Sequence, residues 1–213
     1  MIRILHVSAS TREASSRSRM AADMVLARLR ESHPSLDIVE RDLATRPPPH
    51  LDAGFVEATV LPPVAHTERH AHSLALSETL IRELELADLV LISTPMHNFT
   101  VPSALKAWVD HVVRPYRTFQ LSPEGKIGLL RARPVLVISA CGGGFLDDIP
   151  GETCRKTGQQ RDFLSSYLRY VLAIIGLTQV RVLRLEHQNA PGAGDITDEI
   201  NSWADQVLDQ LEL

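Results

Sequence analysis

The stretch "ADLVLISTPMHNFTVPSALKAWVDHVV", Ala87 to Val113, decides how this chain is read. Its opening, "ADLVLIST", is a near-continuous apolar run of the kind found in strands buried on both faces. In "PSALKAWVDHVV" the apolar residues fall at helical spacing, so a helix follows. Between the two stand His97, Asn98, Phe99 and Thr100, bracketed by Pro95 and Pro102, which stiffen the backbone. A buried strand that runs almost directly into a helix is half of a βαβ unit.

The same alternation recurs in both directions from this stretch. "IRILHV", "LDIVERDL", "RPVLVISA" and "QVRVLRL" read as further strands, the second half-polar and suited to an edge. "SRMAADMVLARLRES", "SLALSETLIRELELA", "QRDFLSSYLRYVLAIIG" and "DITDEINSWADQVLDQLEL" read as helices. Gly176 is placed to end the third of these, and Asp195 or Thr197 to cap the last. Strands alternating with helices of this length imply right-handed crossovers, hence a parallel five-stranded α/β sheet. Residues 44–72, proline-rich and without periodicity, break the alternation and read as a functional loop or an arm on a partner. No repeat or low-complexity tail divides the chain, so residues 1–213 are expected to form a single domain.

The bulk numbers exclude several classes. The chain of 213 residues carries a formal net charge of −4 at pH 7, which gives no electrostatic case for nucleic-acid binding. No apolar run approaches the roughly 20 residues needed to cross a bilayer, so no membrane association is expected. The N-terminal "MIRILHVSAS" is too short in its apolar part for a signal peptide, and the chain is expected in the cytoplasm. Cys141 and Cys154 are then expected as free thiols, and the glycosylation acceptor Asn98-Phe99-Thr100 as incidental.

In open parallel sheets, ligands bind beyond the carboxyl ends of the strands, near the switch in strand order. After the first strand comes "SASTREASSRS", Ser8 to Ser18, with five serines, one threonine and two arginines leading into a helix. A helix start among hydroxyls suits a phosphate, although a solvated serine-rich loop with an ordinary cap reads from the same residues. Without glycine it is neither a Walker A loop nor a G-x-G-x-x-G turn. After the third strand comes "PMHNF", which taken alone reads first as a strand-to-helix connection whose Phe99 plugs the domain edge. After the fourth comes "SACGGGFLDD", either a flexible turn or a place where backbone N–H groups lie against a flat ligand. The combination carries the signal: three loops at one crevice suit a phosphorylated planar cofactor, flavin mononucleotide (FMN) better than a dinucleotide.

End to end, the chain resembles the FMN-dependent, NADH-using azoreductases and quinone reductases of bacteria. The resemblance runs through "SAS…SRS", "RDLA", "TPMHNF", "LKAWVDHVVRPYRTF", "PEGKIGLL", the Gly-Gly turn and "YLRYVLAIIGLTQV". It implies a flavodoxin-like fold with strand order 2-1-3-4-5 and helices on both faces. It also implies non-covalent FMN, NADH or NADPH as hydride donor, and a quinone or azo acceptor reduced by two electrons in a ping-pong cycle.

Residue by residue, the resemblance implies phosphate contacts at Ser10, Ser16, Arg17 and Ser18. Met96, His97, Asn98 and Phe99 would run along the ring and ribityl chain, and Ala140, Cys141, Gly142 and Gly143 would hold the pyrimidine end. It further implies a homodimer with the active site at the interface, residues 44–72 and 116–130 covering the partner's flavin, and Phe119 and Phe163 as aromatic walls. Two departures stand out: His97 replaces the usual tyrosine, and Ala140-Cys141 replaces Ser-Arg. Histidine changes protonation near neutral pH, which makes His97 a candidate proton donor. Other readings of the same fold are a flavodoxin-like electron shuttle and a non-catalytic flavin-binding regulator. The "HxxxHxH" of His66, His70 and His72 is read as a solvated loop and not as a metal site. Cys141 is read as a packed thiol, and His6 as a satisfied core histidine.

Overall fold

The computed structural model describes residues 1–12, 15–146, 160–188 and 194–211; Cys154 lies outside them. Five strands, β1 (Ile2–Ser8), β2 (Leu36–Asp42), β3 (Leu89–Pro95), β6 (Pro134–Ala140) and β9 (Gln179–Leu185), form one sheet in the order β2-β1-β3-β6-β9. Every pairing in it is parallel. Counted within this sheet alone, the order is the expected 2-1-3-4-5. Two short ribbons, β4 (Phe119–Ser122) with β5 (Gly125–Gly128) and β7 (Phe145–Leu146) with β8 (Gln160–Arg161), shift the chain numbering.

The period-two alternation of the strands divides the core. Val90 and Ile92 of β3 with Val135 and Val137 of β6 face one layer; Leu89, Leu91, Leu136 and Ile138 face the other. The first layer is made by α3 (Glu68–Leu86), α4 (Ser103–Val112) and α5 (Phe163–Ile174). The second is made by α1 (Arg17–Ser32) and α6 (Thr197–Leu208). Branched apolar side chains on both faces of β1, β3 and β6 therefore require helices on both sides.

Residues 44–72 depart from the expected loop. They contain the helix α2 (Ala53–Val60), capped by Asp52 on the Phe55 N–H, and a 3-10 turn at Pro63–Ala65. Phe55 and Ala58 of α2 form a small buried cluster with Leu74 of α3. Helix α3 starts five residues before the "SLALSETL" motif because Thr67 and His70 form a capping box, with His70 in the place usually held by Glu or Gln. His66 is also occupied, its ring donating to the Ala58 carbonyl at 2.9 Å. At the far end of α3, buried Arg133 donates to the carbonyls of Leu84 and Ala87, a cation where the helix dipole is negative.

Gly176 ends α5 as expected. Its N–H donates to the Ala173 carbonyl at 3.0 Å and that of Leu177 to the Leu172 carbonyl at 2.9 Å, a Schellman closure. The closure needs glycine twice over, since φ is +101° and an added Cβ would sit 2.4 Å from the Leu130 carbonyl oxygen. His6, buried mid-strand, lies 2.9 Å from Ser93 Oγ and 2.8 Å from Glu40 Oε2, so it is a satisfied core histidine.

Candidate active site

Strands β1, β3 and β6 end side by side at the switch in strand order, and the chain stays in register for one step beyond each. Ala9 N–H donates to the Ser93 carbonyl and Met96 N–H to the Ala140 carbonyl, both at 2.9 Å; Cys141 N–H donates to the Leu185 carbonyl at 2.9 Å. These bonds fix where the three loops depart. Between them lies a cleft with two lobes that share Met96, Cys141 and Gly142.

The first lobe, about 160 Å³, brings together Ser10, Ser16, Arg17, Ser18, Met96, His97, Ala140, Cys141 and Gly142. Ser16 is the N-cap of α1: its Oγ accepts from the Arg19 N–H and lies 3.2 Å from Ser18 Oγ. The N–H groups of the first helical turn have no carbonyl within the helix to meet, and that turn holds no acidic residue. The result is a positive helix end with two hydroxyls and Arg17, chemistry that fits a phosphate dianion. Arg19 braces the loop from behind, donating to the Ser10 carbonyl at 2.9 Å and to Asp42 at 2.8 Å.

The second lobe, about 230 Å³, is lined by Met96, Asn98, Phe99, Cys141, Gly142, Gly143, Phe145 and Gln160. Its wall is a two-residue turn: His97 N–H donates to the Thr100 carbonyl and Thr100 N–H to the His97 carbonyl, at 2.9 and 3.0 Å. The central residues Asn98 and Phe99 have φ of 48° and 71°, the pattern of a type I′ turn. Asparagine tolerates that region; phenylalanine is strained in it. The Phe99 carbonyl accepts from the Phe163 N–H at 3.1 Å, which ties the turn to the start of α5. Phe99 itself is left 45 % exposed.

On the opposite side, the glycines serve partly to pack the protein against itself. A Cβ on Gly143 would lie 3.2 Å from Gln160 Oε1, and one on Gly144 3.0 Å from the His187 ring. Cys141 is buried, donates to the Leu185 carbonyl at 3.3 Å, and has its thiol pushed up to about 12, first by burial and then by Glu186 and Asp162. Burial and that hydrogen bond make it a packed thiol.

Phe163 does not line either lobe; its backbone N–H bonds the Phe99 carbonyl of the second lobe's wall, the residue is 47 % exposed, and Arg161 lies 5.3 Å from its ring centroid. Phe119 is not brought to the cleft: it is buried in the β4–β5 ribbon with Lys126 Nζ 5.0 Å from its ring centroid. The sequence reading passed over Arg12, Pro95, Phe145, Gln160 and Gln188, all in the cleft wall. Pro95 and Arg12 were within motifs already singled out; Gln160 and Gln188 arrive from distant segments and carry no local signal.

The family described as Flavodoxin-like fold matches residues 2–210. An FMN-dependent NADH:quinone oxidoreductase of Cupriavidus pinatubonensis is 47 % identical over 95 % of this chain and 96 % of its own length. The chain belongs to that family. A second member, from Pseudomonas fluorescens, is 42 % identical over 87 % of this chain and 84 % of its own. Among solved structures, an azoreductase from Bacillus anthracis superposes with a TM-score of 0.82 at 24 % identity, covering 99 % of this chain and 100 % of the other. An FMN-dependent NADH-azoreductase from the same species, in complex with FMN, gives 0.79 at 20 % identity, covering 96 % and 99 %. At that identity these two speak for the fold.

Proposed function

We propose that this protein is an FMN-dependent NADH:quinone oxidoreductase that also reduces aromatic azo compounds. The observation that carries the reading is the two-lobed cleft, in which a phosphate-suited helix start and a glycine turn face each other across the Met96–Phe99 wall. Bound FMN supplies the redox chemistry, accepting a hydride from a nicotinamide and passing two electrons to a quinone or azo acceptor.

The chain's own residues bind and orient. Ser10, Ser16, Arg17 and Ser18 hold the phosphate in the first lobe, and Met96, His97, Asn98 and Phe99 align the ribityl chain and ring. Ala140, Cys141, Gly142 and Gly143 hold the pyrimidine end, with the backbone N–H groups of Gly142 and Gly143 placed where negative charge grows at that edge. Phe163 offers an aromatic face at the open end. His97, exposed at the turn, donates a proton to the acceptor; turnover in His97→Phe with an unchanged pH profile would remove that role. NADH and NADPH both remain donors on this reading, since the donor meets the ring and not a Rossmann turn.

The protein acts as a cytoplasmic homodimer. Exposed Leu121, Ile127 and Leu129 around the β4–β5 ribbon and Tyr170 on α5 support a partner surface; a monomer by sedimentation equilibrium contradicts it. No helix among the described residues is long and apolar enough to cross a membrane. The phosphate assignment is tested by Ser18→Ala with Arg17→Ala. FMN affinity should fall by about a hundredfold, on the scale of charge-assisted hydrogen bonds, while riboflavin affinity is unchanged. Equal losses for both flavins would place the phosphate elsewhere.

A further inference from the structure

Gln160 opens the short strand β8 and forms part of the second lobe's wall, beside Gly142, Gly143 and Phe145. Its backbone is engaged elsewhere: it pairs with Phe145 of β7, and its N–H donates to the Gly144 carbonyl at 3.3 Å. Its side chain lies over Gly143, where a Cβ would sit 3.2 Å from Oε1 and 3.8 Å from Nε2. The missing side chain of Gly143, itself in the lobe's wall, gives the amide its room there. Gln160 is half-buried, its amide makes no hydrogen bond among the described residues, and neither polar atom is sealed from solvent.

An amide that is open to water in the empty cleft can exchange that water for a ligand at little cost. It presents a carbonyl and an NH₂ side by side, an acceptor next to donors. The group that matches it is an imide edge, where a ring N–H stands beside a carbonyl, just as glutamine pairs with the adjacent donor and acceptor of adenine. On the flavin reading given above, Gly142 and Gly143 hold the pyrimidine end, and that end carries such an edge: N3–H between the C2 and C4 carbonyls. We propose that Gln160 is a further cofactor-binding residue, its Oε1 accepting from flavin N3–H and its Nε2 donating to a carbonyl beside it. The inference rests on that reading.

It is tested on the flavin-stripped full chain by fluorescence titration with FMN and with N3-methyl-FMN, which keeps phosphate, ribityl chain and ring but lacks the N3 proton. The wild type should bind FMN about tenfold more tightly than the methylated flavin, the factor of one good hydrogen bond. Gln160→Leu should weaken FMN by about tenfold and leave N3-methyl-FMN within about twofold, so that the preference disappears. Gln160→Glu keeps an acceptor at the same reach and should keep the preference. Equal losses for both flavins in Gln160→Leu, or no loss for either, overturn the inference while leaving the flavin reading intact. A wild type that binds the two alike overturns it too. A wild-type chain that binds neither overturns the flavin reading itself.

Discussion

At the scale of single residues, the site's most informative feature is a phenylalanine in the left-handed region. Phe99 has a φ of 71° beside Asn98 at 48°, and both turn bonds of His97 and Thr100 hold it there. A bulky L-residue in that conformation costs about 1–2 kcal/mol, and glycine at the second position is what a type I′ turn prefers. Phe99→Gly should therefore leave the unliganded protein as stable or about 1 kcal/mol more stable, despite losing the ring. It should also slow quinone reduction, because the second lobe loses its aromatic wall. Chemical denaturation together with steady-state rates checks both halves, and a clear loss of stability would contradict the strain. This turn was only half legible in the sequence. Pro95 and Pro102 announced a stiffened segment, but no glycine marked a positive φ, so its shape was invisible. Gln188 was invisible for another reason: one polar residue after a strand carries no pattern, and only the fold brings it to Cys141.

At the scale of elements, caps and close approaches decide more than propensity. The end of α5 meets the β4–β5 ribbon so tightly that a Cβ on Gly128 would lie 2.2 Å from the Gly176 nitrogen. Gly176→Ala is expected to cost at least ~2 kcal/mol, through positive φ and overlap with Leu130 together, and to lower the melting temperature by about 4–8 °C. A scan showing no change would mean that the closure relaxes freely. Behind the serine loop, Asp42 supports Arg19. Burial works against its charge, but hydrogen bonds from Arg19 and from the Ala44 and Thr45 N–H groups outweigh it and hold the carboxyl below its usual range. A lowered folded value means that this stabilisation is present above the unfolded value near 3.8 and is lost as pH falls below it. Urea unfolding from pH 5 downward should thus show a shallower acid decline in Asp42→Asn than in the wild type; parallel declines would contradict the linkage. The five sheet strands were readable because apolar runs buried on both faces have few alternatives. Helix α2 and the ribbons were not, since short elements with mixed polarity owe their form to neighbours such as Leu74 and the end of α5.

At the scale of the whole molecule, parallel order 2-1-3-4-5 puts three strand ends beside one another and leaves a crevice at the switch point, where the serine loop, the strained turn and the glycine turn converge. Three sequence segments, each about 40 to 90 residues from the next, become one site only through that topology. The serine loop was legible because a helix start rich in hydroxyls has a chemical meaning on its own, and the resemblance to known reductases supplied the rest. If this crevice binds FMN for two-electron transfer from a nicotinamide to a quinone, as proposed above, the flavin must cycle between both partners. The direct measurement is an anaerobic stopped-flow experiment on the purified protein reconstituted with FMN, following flavin absorbance on mixing first with NADH and then with a quinone. NADH should bleach the flavin stoichiometrically and one equivalent of quinone should restore its absorbance in full; a flavin that stays oxidised in the presence of NADH rules out the proposed reductase cycle.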